Sequence, residues 1–445
     1  MTQRTSIGGS DAAAPAQESR SSLGGRLREI RGGFESSFWV ANFTELFERL
    51  AYYGTTAVLA IYLHENLRLS IEQTGALMGF FGFVVWFLPV LGGTLADRFG
   101  FRRALLFAYG VMTIGYFLLG SISAPWMAPA RHAIDLKWLV GTILMVPALG
   151  PALVKPCVAG TTGRASKESV RSIGYSIYYT LVNIGGTLGP IVASLVRTRV
   201  GIESVFRVSS LSVFLMFWVT LFFFREPSER GEEQVPSVLA AIRNMFVVLG
   251  NWRFVAFLLV YSGYWVMYWQ EFVSVPLFVR GFINPQAHVD ALLSIDAFTV
   301  MCLQIAVSVL TRRIPTFPAM TLGIFISSVA WIPLALHPAV STTIATLVIV
   351  ALGEIIQTPR YYEYMSRLAP PGQQGLFMGY AFLPIAIGYF VAGTFGGYLV
   401  DLFGNVLKQP QRMWWVVMGV GLGTALLMWI YDVVAQPARQ ADAGG

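Results

Sequence analysis

The sequence predicts an all-α integral membrane protein with twelve transmembrane helices arranged as two six-helix bundles. Three observations predict it. Of 445 residues, 55% are hydrophobic and only 12% charged, where a soluble protein carries about 25% charged residues; the mean hydropathy is +0.61. Apolar runs of about 20 residues, the length that crosses a bilayer core, recur twelve times. The longest polar interruption, Arg225 to Asn251, divides those runs six and six.

Residues 1–37 are polar and rich in Ser, Gly, Ala and Arg, without the charged, apolar, small-residue order of a cleaved signal peptide. They read as a mostly disordered cytoplasmic tail with a short helix near Gly25–Ile30. The N-terminal bundle, 38–224, has expected spans at about 38–63, 74–96, 104–122, 138–160, 172–196 and 204–224. A cytoplasmic linker follows at 225–252; its first residues are solvated, and Ser237–Leu249 has the pattern of a short amphipathic surface helix. The C-terminal bundle, 253–434, has expected spans at about 253–280, 289–310, 318–337, 341–359, 373–400 and 413–434. Residues 435–445 form a second cytoplasmic tail.

Charge supports that topology. Arg98, Arg102, Arg103, Arg164, Lys167, Arg171, Arg225, Arg312 and Arg313 fall on proposed inner segments. Fewer bases, among them Arg68, Arg131, Lys137, Arg197, Arg199 and Arg280, fall on proposed outer ones. This is the asymmetry of a plasma-membrane protein with both termini inside. It explains the net charge of +7 better than a nucleic-acid partner does. Cys157 and Cys302 lie in apolar runs, and neither they nor His64, His132, His288 and His337 have metal-ligand spacing, so no metal is expected. No nucleotide-binding motif appears, which disfavours a primary pump, and no cofactor is expected.

Within the first span, Glu45, Glu48 and Arg49 stand at i, i+3 and i+4 and share one helical face. Tyr52 continues the stripe and Tyr53 flanks it. At 1.5 Å per residue the charges lie roughly 10–17 Å into the helix. Ions at that depth pair or face water, so they mark function or a packing ion pair. Lys155 lies at a similar depth in the fourth span, between Pro151 and Pro156 in a run expected to bend around a cavity. Asn183 of the fifth span supplies an amide for a ligand or for a neighbouring helix. Glu354 is the one acid in the tenth span and suits an amine, or a structural protonated role. The loop between the second and third spans reads Gly92-Gly93-Thr-Leu-Ala-Asp97-Arg98-Phe-Gly100-Phe-Arg102-Arg103. Its glycines allow close helix approach and a tight turn. Asp97 suits a neighbouring helix N-terminus, and Arg98 and Arg102 suit an anionic inner leaflet. That loop resembles the signature of major facilitator transporters, whose fold is two bundles rocking about a central site.

Five motifs extend the resemblance. Glu45-x-x-Glu48-Arg49-x-x-Tyr52-Tyr53-Gly54, Lys155-Pro156, Tyr179-x-x-x-Asn183-x-Gly185, Gly353-Glu354-x-x-x-x-Pro359 and Leu368-Ala369-Pro370 occur in that order. Together they resemble the proton-dependent oligopeptide transporter family. The resemblance implies a proton-coupled symporter for di- and tripeptides or peptide-like solutes, driven by the proton gradient and acting as a monomer. It implies that Glu45 and Glu48 are proton-coupling carboxylates paired with Arg49 and Lys155. Arg49, Tyr53, Lys155 and Asn183 would then receive the peptide carboxylate and backbone, and Glu354 the terminal ammonium. Protonating Glu48 would release Arg49 for the substrate, linking the two binding events. Tyr52, Tyr178, Trp265 and Tyr268 are candidates for side-chain pockets, although with aromatics at 14% of the chain packing or interface roles are expected for most of them.

The sequence also departs from that pattern. Position 50 is Leu where the family prefers Phe, and position 157 is Cys where Asn is common. Glu271 follows Gln270, whereas the family's acid precedes its Gln. Glu271 is expected to couple protons, and either to form an outer gate with a basic residue or to lie exposed at the outer rim. Asp296 belongs either to the proton path or to an outer vestibule. Rival readings are a carrier of the same fold for a drug or a carboxylate, and a transport-dead peptide receptor, which calls for an added output domain. A membrane enzyme calls for a nucleophile–base or metal arrangement that the sequence does not display.

Overall fold

The computed structural model describes residues 32–227, 250, 252–368 and 379–442. The helices expected at Gly25–Ile30 and Ser237–Leu249, the Ala369-Pro370 end of the last motif, and the opening of the eleventh span at Gly375 lie outside the described residues.

Among the described residues, helices fall within each of the twelve expected places. The first half holds α1 (Ser36–Ile61), α2 (Ile71–Phe87), α3 (Pro89–Phe99), α4 (Phe101–Leu119), α5 (Leu136–Arg164), α6 (Arg171–Arg199) and α7 (Ile202–Phe223). The second holds α8 (Trp252–Tyr268), α9 (Gln270–Phe278), α10 (Val289–Leu292), α11 (Ser294–Thr311), α12 (Thr316–Val329), α13 (Ile332–Leu336), α14 (Val340–Leu368), α15 (Leu383–Val400) and α16 (Met413–Asp442). Among the described residues there is no strand, only an isolated bridge between Phe34 and Ser166.

Ten segments are long and apolar enough to cross a membrane. The other two expected spans fall short for visible reasons. Glu45, Glu48 and Arg49 sit in the middle of α1, and the seventh span is broken at Trp269 into α8 and α9. Local chemistry sets several ends. Ser70 caps α2: its Oγ accepts from the Gln73 N–H at 3.1 Å, and Gln73 Oε1 accepts from the Ser70 N–H at 3.1 Å. Asp135 accepts from the Lys137 N–H at 3.0 Å and opens α5. Pro147, Pro151 and Pro156 all lie inside α5.

In the first half, α1 packs on α6 and α7, and α4 packs on α5 and α7. In the second, α12 packs on α14 and α16, and α8 on α15 and α16. The halves meet through α2 against α15, α6 against α10 and α11, and α1 against α9 and α10. The α2–α15 crossing depends on glycine: a Cβ on Gly75 or Gly393 would strike the other helix's backbone. The α1–α6 crossing is similar, since a Cβ on Gly189 would lie 2.6 Å from the Leu50 carbonyl oxygen.

The turn between α3 and α4 departs in part from expectation. Gly100 has φ +87°, a left-handed value suited to glycine. The N-terminus of α4 is taken by Glu226, whose carboxylate accepts from Phe101 N at 3.2 Å and Arg102 N at 2.8 Å. Arg102 also donates from Nη2 to the Leu221 carbonyl at 2.5 Å. Glu226 therefore fills at α4 the kind of role expected of Asp97, and the turn is fastened to the end of α7. Gly93 lies in α3 with Arg98, and Arg98 is exposed. The Asp97 side chain lies outside what the structure describes.

Candidate functional site

The deepest charges of the first half form one cluster on α1. Glu45, Glu48 and Arg49 are buried, at 1%, 0% and 2% exposure. Arg49 lies 3.3 Å from Glu45 Oε1 through Nε and 2.5 Å from Glu48 Oε2 through Nη2. One planar guanidinium thus holds two carboxylates of its own helix, as its forked donors permit. The arginine also lies over the Tyr52 ring, 5.1 Å from its centroid.

Lys155 does not join this cluster, which corrects the expected pairing with Glu45 and Glu48. Its Nζ is buried, has no hydrogen-bond partner, and sits 3.1 Å from the centroid of the Trp86 ring. Phe382 adds a second ring at 5.7 Å. An ammonium withdrawn from water gains from an aromatic face, and Arg49 already serves both acids. Trp86 lies 5.9 Å from Trp269, and Trp269 lies 4.1 Å from Tyr389. An aromatic layer thus runs from the lysine into the second half.

A small polar cavity of about 50 Å³ lies between the halves. Tyr53 of α1 and Asn183 of α6 line one side; Tyr268 of α8, Asp296 of α11 and Glu354 of α14 line the other. The Tyr268 hydroxyl donates to Asp296 Oδ2 at 3.2 Å. The Asp296 and Glu354 carboxyls line the same cavity. Asp296 Oδ1 and Glu354 Oε2 remain without partners. Asn183 donates from Nδ2 to the Tyr179 carbonyl at 2.9 Å, which leaves its amide oxygen toward other partners. A cavity of this size takes a few water molecules rather than a dipeptide.

Three expected substrate contacts, Tyr53, Asn183 and Glu354, therefore share one cavity, while Arg49 and Lys155 lie outside its wall. Asp296 belongs to the cavity and not to an outer vestibule. Tyr268 lines the cavity, whereas Tyr52 and Trp265 are buried in packing. Glu271 is neither at an exposed rim nor in a gate. It is fully buried on α9, and neither oxygen has a partner.

Ion pairs that the sequence reading did not foresee join the halves. Arg280, after α9, holds Glu65, after α1, by two bonds of 2.6 and 2.7 Å. Arg197 of α6 holds Asp290 of α10 by bonds of 2.7 and 3.2 Å. Among the described residues these are the ion pairs that join the halves, and both lie at the end away from the chain termini. The sequence signal was only acids and bases at proposed outer ends; partners 215 and 93 residues apart have no local pattern.

A model of the Major Facilitator Superfamily matches residues 42–383. The multidrug resistance protein MdtH of Photorhabdus laumondii is 22% identical over 383 residues, covering 86% of this chain and 91% of its own. MdtH of Salmonella paratyphi B is 21% identical over 401 residues, covering 89% and 94%. Among solved structures, a POT family transporter in complex with 5-aminolevulinic acid aligns with TM-score 0.70 at 17% identity, covering 89% of this chain and 95% of that one. The peptide transporter POT in complex with sulfate aligns with TM-score 0.71 at 18% identity, covering 90% and 94%. At such identities the structural likeness establishes the fold.

Proposed function

This chain belongs to the Major Facilitator Superfamily, and we propose that within it the protein is a proton-coupled symporter importing di- and tripeptides or peptide-like solutes by alternating access. It is a multi-pass membrane transporter with a small polar cavity between its halves. The reading places it in the plasma membrane, with both termini in the cytoplasm, working as a monomer without a cofactor.

One observation carries the reading: buried charge is divided between the halves. The first half holds Arg49 and Lys155, and the second offers Asp296 and Glu354 at a shared cavity with Tyr268. A zwitterion needs a cationic group and an anionic one; the carboxyls line the cavity, while Arg49 and Lys155 lie behind it on the other body, so the reading requires the movement of the halves to bring them to the solute. Two carboxyls on one cavity accept either a proton or an ammonium. Proton and substrate amine thus compete for, or follow one another at, the same atoms. On the opposite side, Arg49 is engaged by Glu45 and Glu48. A proton on Glu48 frees one arm of the guanidinium for a carboxylate, which couples the two events. The outer ion pairs close one end, so solute entry requires them to part.

The test is uptake of labelled dialanine into proteoliposomes with and without an inward proton gradient. Accumulation is expected in the parent protein. In Glu48→Gln accumulation is lost and passive counterflow remains. Failure of a panel of di- and tripeptides either to enter or to compete refutes the peptide reading. A second reading is favoured by the MdtH relatives and by the two carboxyls, Asp296 and Glu354, on one cavity wall: a carrier of cationic drugs coupled to protons. Proton-driven movement of tetraphenylphosphonium, unaffected by peptides, would establish it instead.

A further inference from the structure

A groove of about 980 Å³ opens on the flank of the molecule where α2, α5 and α15 meet. It is far larger than the central cavity and distinct from it. Its walls are apolar, with Phe80 of α2, Trp138 of α5 and Phe390 and Tyr398 of α15 all about half exposed or more. Two opposite charges, Glu72 and Lys137, stand at its mouth. Each is the second residue of its helix, so both lie at the level of the helix ends. Among the described residues they form no ion pair with each other; the Lys137 ammonium rests instead over Trp138, 5.1 Å from the ring centroid.

We propose that this groove binds one phospholipid with a zwitterionic, primary-amine headgroup, a phosphoethanolamine lipid of the leaflet at the gated end. Lys137 would take the phosphate and Glu72 the ammonium. Trp138 and Tyr398 lie at the headgroup level where amphipathic rings collect. The apolar walls reach Phe80, eight residues beyond Glu72 and thus about 12 Å deeper along α2, close to the half-thickness of a bilayer core. The occupant must therefore be an amphiphile with a polar end at the surface and a chain reaching toward the midplane. The unpaired acid and base select a headgroup that bears both charges. A purely anionic headgroup would satisfy Lys137 and be repelled by Glu72. A quaternary amine has no N–H to donate to the carboxylate.

The site would also have a mechanical consequence. Its walls belong to both halves, α2 and α5 on one side and α15 on the other, beside the glycine contact of Gly75 with Gly393. A lipid held there ties the halves in the arrangement in which the outer ion pairs are formed.

The test is native mass spectrometry of the purified full chain from mixed micelles. These contain palmitoyl-oleoyl phosphatidylethanolamine, phosphatidylglycerol or phosphatidylcholine at equal concentration. Retention of one phosphatidylethanolamine is expected to exceed that of either other lipid by about fivefold. Glu72→Gln and Lys137→Gln should each abolish the preference. Thr394→Trp, which fills the groove without touching a charge, should reduce retention of all three lipids. Thermal unfolding of each variant checks that it is folded, and any variant that is not is replaced by Glu72→Ala or Lys137→Met. Equal retention of the three lipids by the parent protein, or unchanged phosphatidylethanolamine retention in folded Thr394→Trp, overturns the proposal.

Discussion

Arg49 compensates two buried carboxylates at once, so the charge balance of α1 depends on it. Removing one partner from a buried ionic cluster leaves charge uncompensated and costs about 3–5 kcal/mol. Arg49→Ala is therefore expected to lower the thermal unfolding midpoint of the detergent-purified protein sharply. The triple variant with Glu45→Gln and Glu48→Gln should recover most of the loss, because the neutral amides need no counter-ion. A midpoint unmoved by Arg49→Ala would mean that water reaches the cluster. Asp296 calls for a different measurement. Hydrogen bonds to charged groups are worth about 1.5–3 kcal/mol, so Asp296→Asn should raise the KM for dialanine by tenfold or more. Competition by N-acetyl-dialanine, which has no ammonium, should be unchanged. Equal effects on both ligands would assign Asp296 to the fold rather than to the amine.

Most elements were legible in the sequence because a membrane helix announces itself by length and composition. Even the charged α1 was found, since its apolar flanks frame the three ions. The break at Trp269 was not legible: no proline or glycine stands there, and only the packing of four aromatic residues, Trp265, Tyr268, Trp269 and Phe272, accompanies it. The site was legible as residues but not as partnerships. Depth along a helix placed Lys155 level with Glu45 and Glu48, but only the fold brings Trp86 under its ammonium. Asp296 could be set on a helix but not in a cavity, because its neighbours come from α8 and α14. The α2–α15 contact is the element on which a mutation should act most cleanly. Gly75→Val puts branched carbon against the Gly393 backbone. It should part the outer ends of these helices while leaving each half intact. The expected result is raised labelling by a membrane-impermeant maleimide of a cysteine at Asn183 or Tyr53 applied from the gated side. Unchanged labelling would mean that the helices re-pack around the added methyls.

At the scale of the whole molecule, two bidentate ion pairs bridge the halves at one end, and they are not equivalent. Glu65 is 38% exposed and Arg280 15%, so water and salt screen that pair, and its worth is about 1 kcal/mol or less. Asp290 is fully buried and Arg197 is 15% exposed, so losing the arginine leaves a buried carboxylate, at a cost of about 3–5 kcal/mol in the closed arrangement. Opening the end exposes Asp290 to water and relieves that cost. Arg197→Ala should therefore move the population toward the open-ended arrangement far more than Glu65→Ala does. Spin labels at Arg199 and Gln286, near the Arg197–Asp290 pair on either side of the seam, would report it as a second, longer distance. The short distance should persist in Glu65→Ala, and salt should weaken it further there but hardly at all in the parent protein. The charge-exchanged protein Arg197→Asp with Asp290→Arg should return most of the population to the short distance. If Glu65→Ala opens the end as fully as Arg197→Ala, the seam is held by Glu65–Arg280, and the burial of Asp290 is incidental to gating.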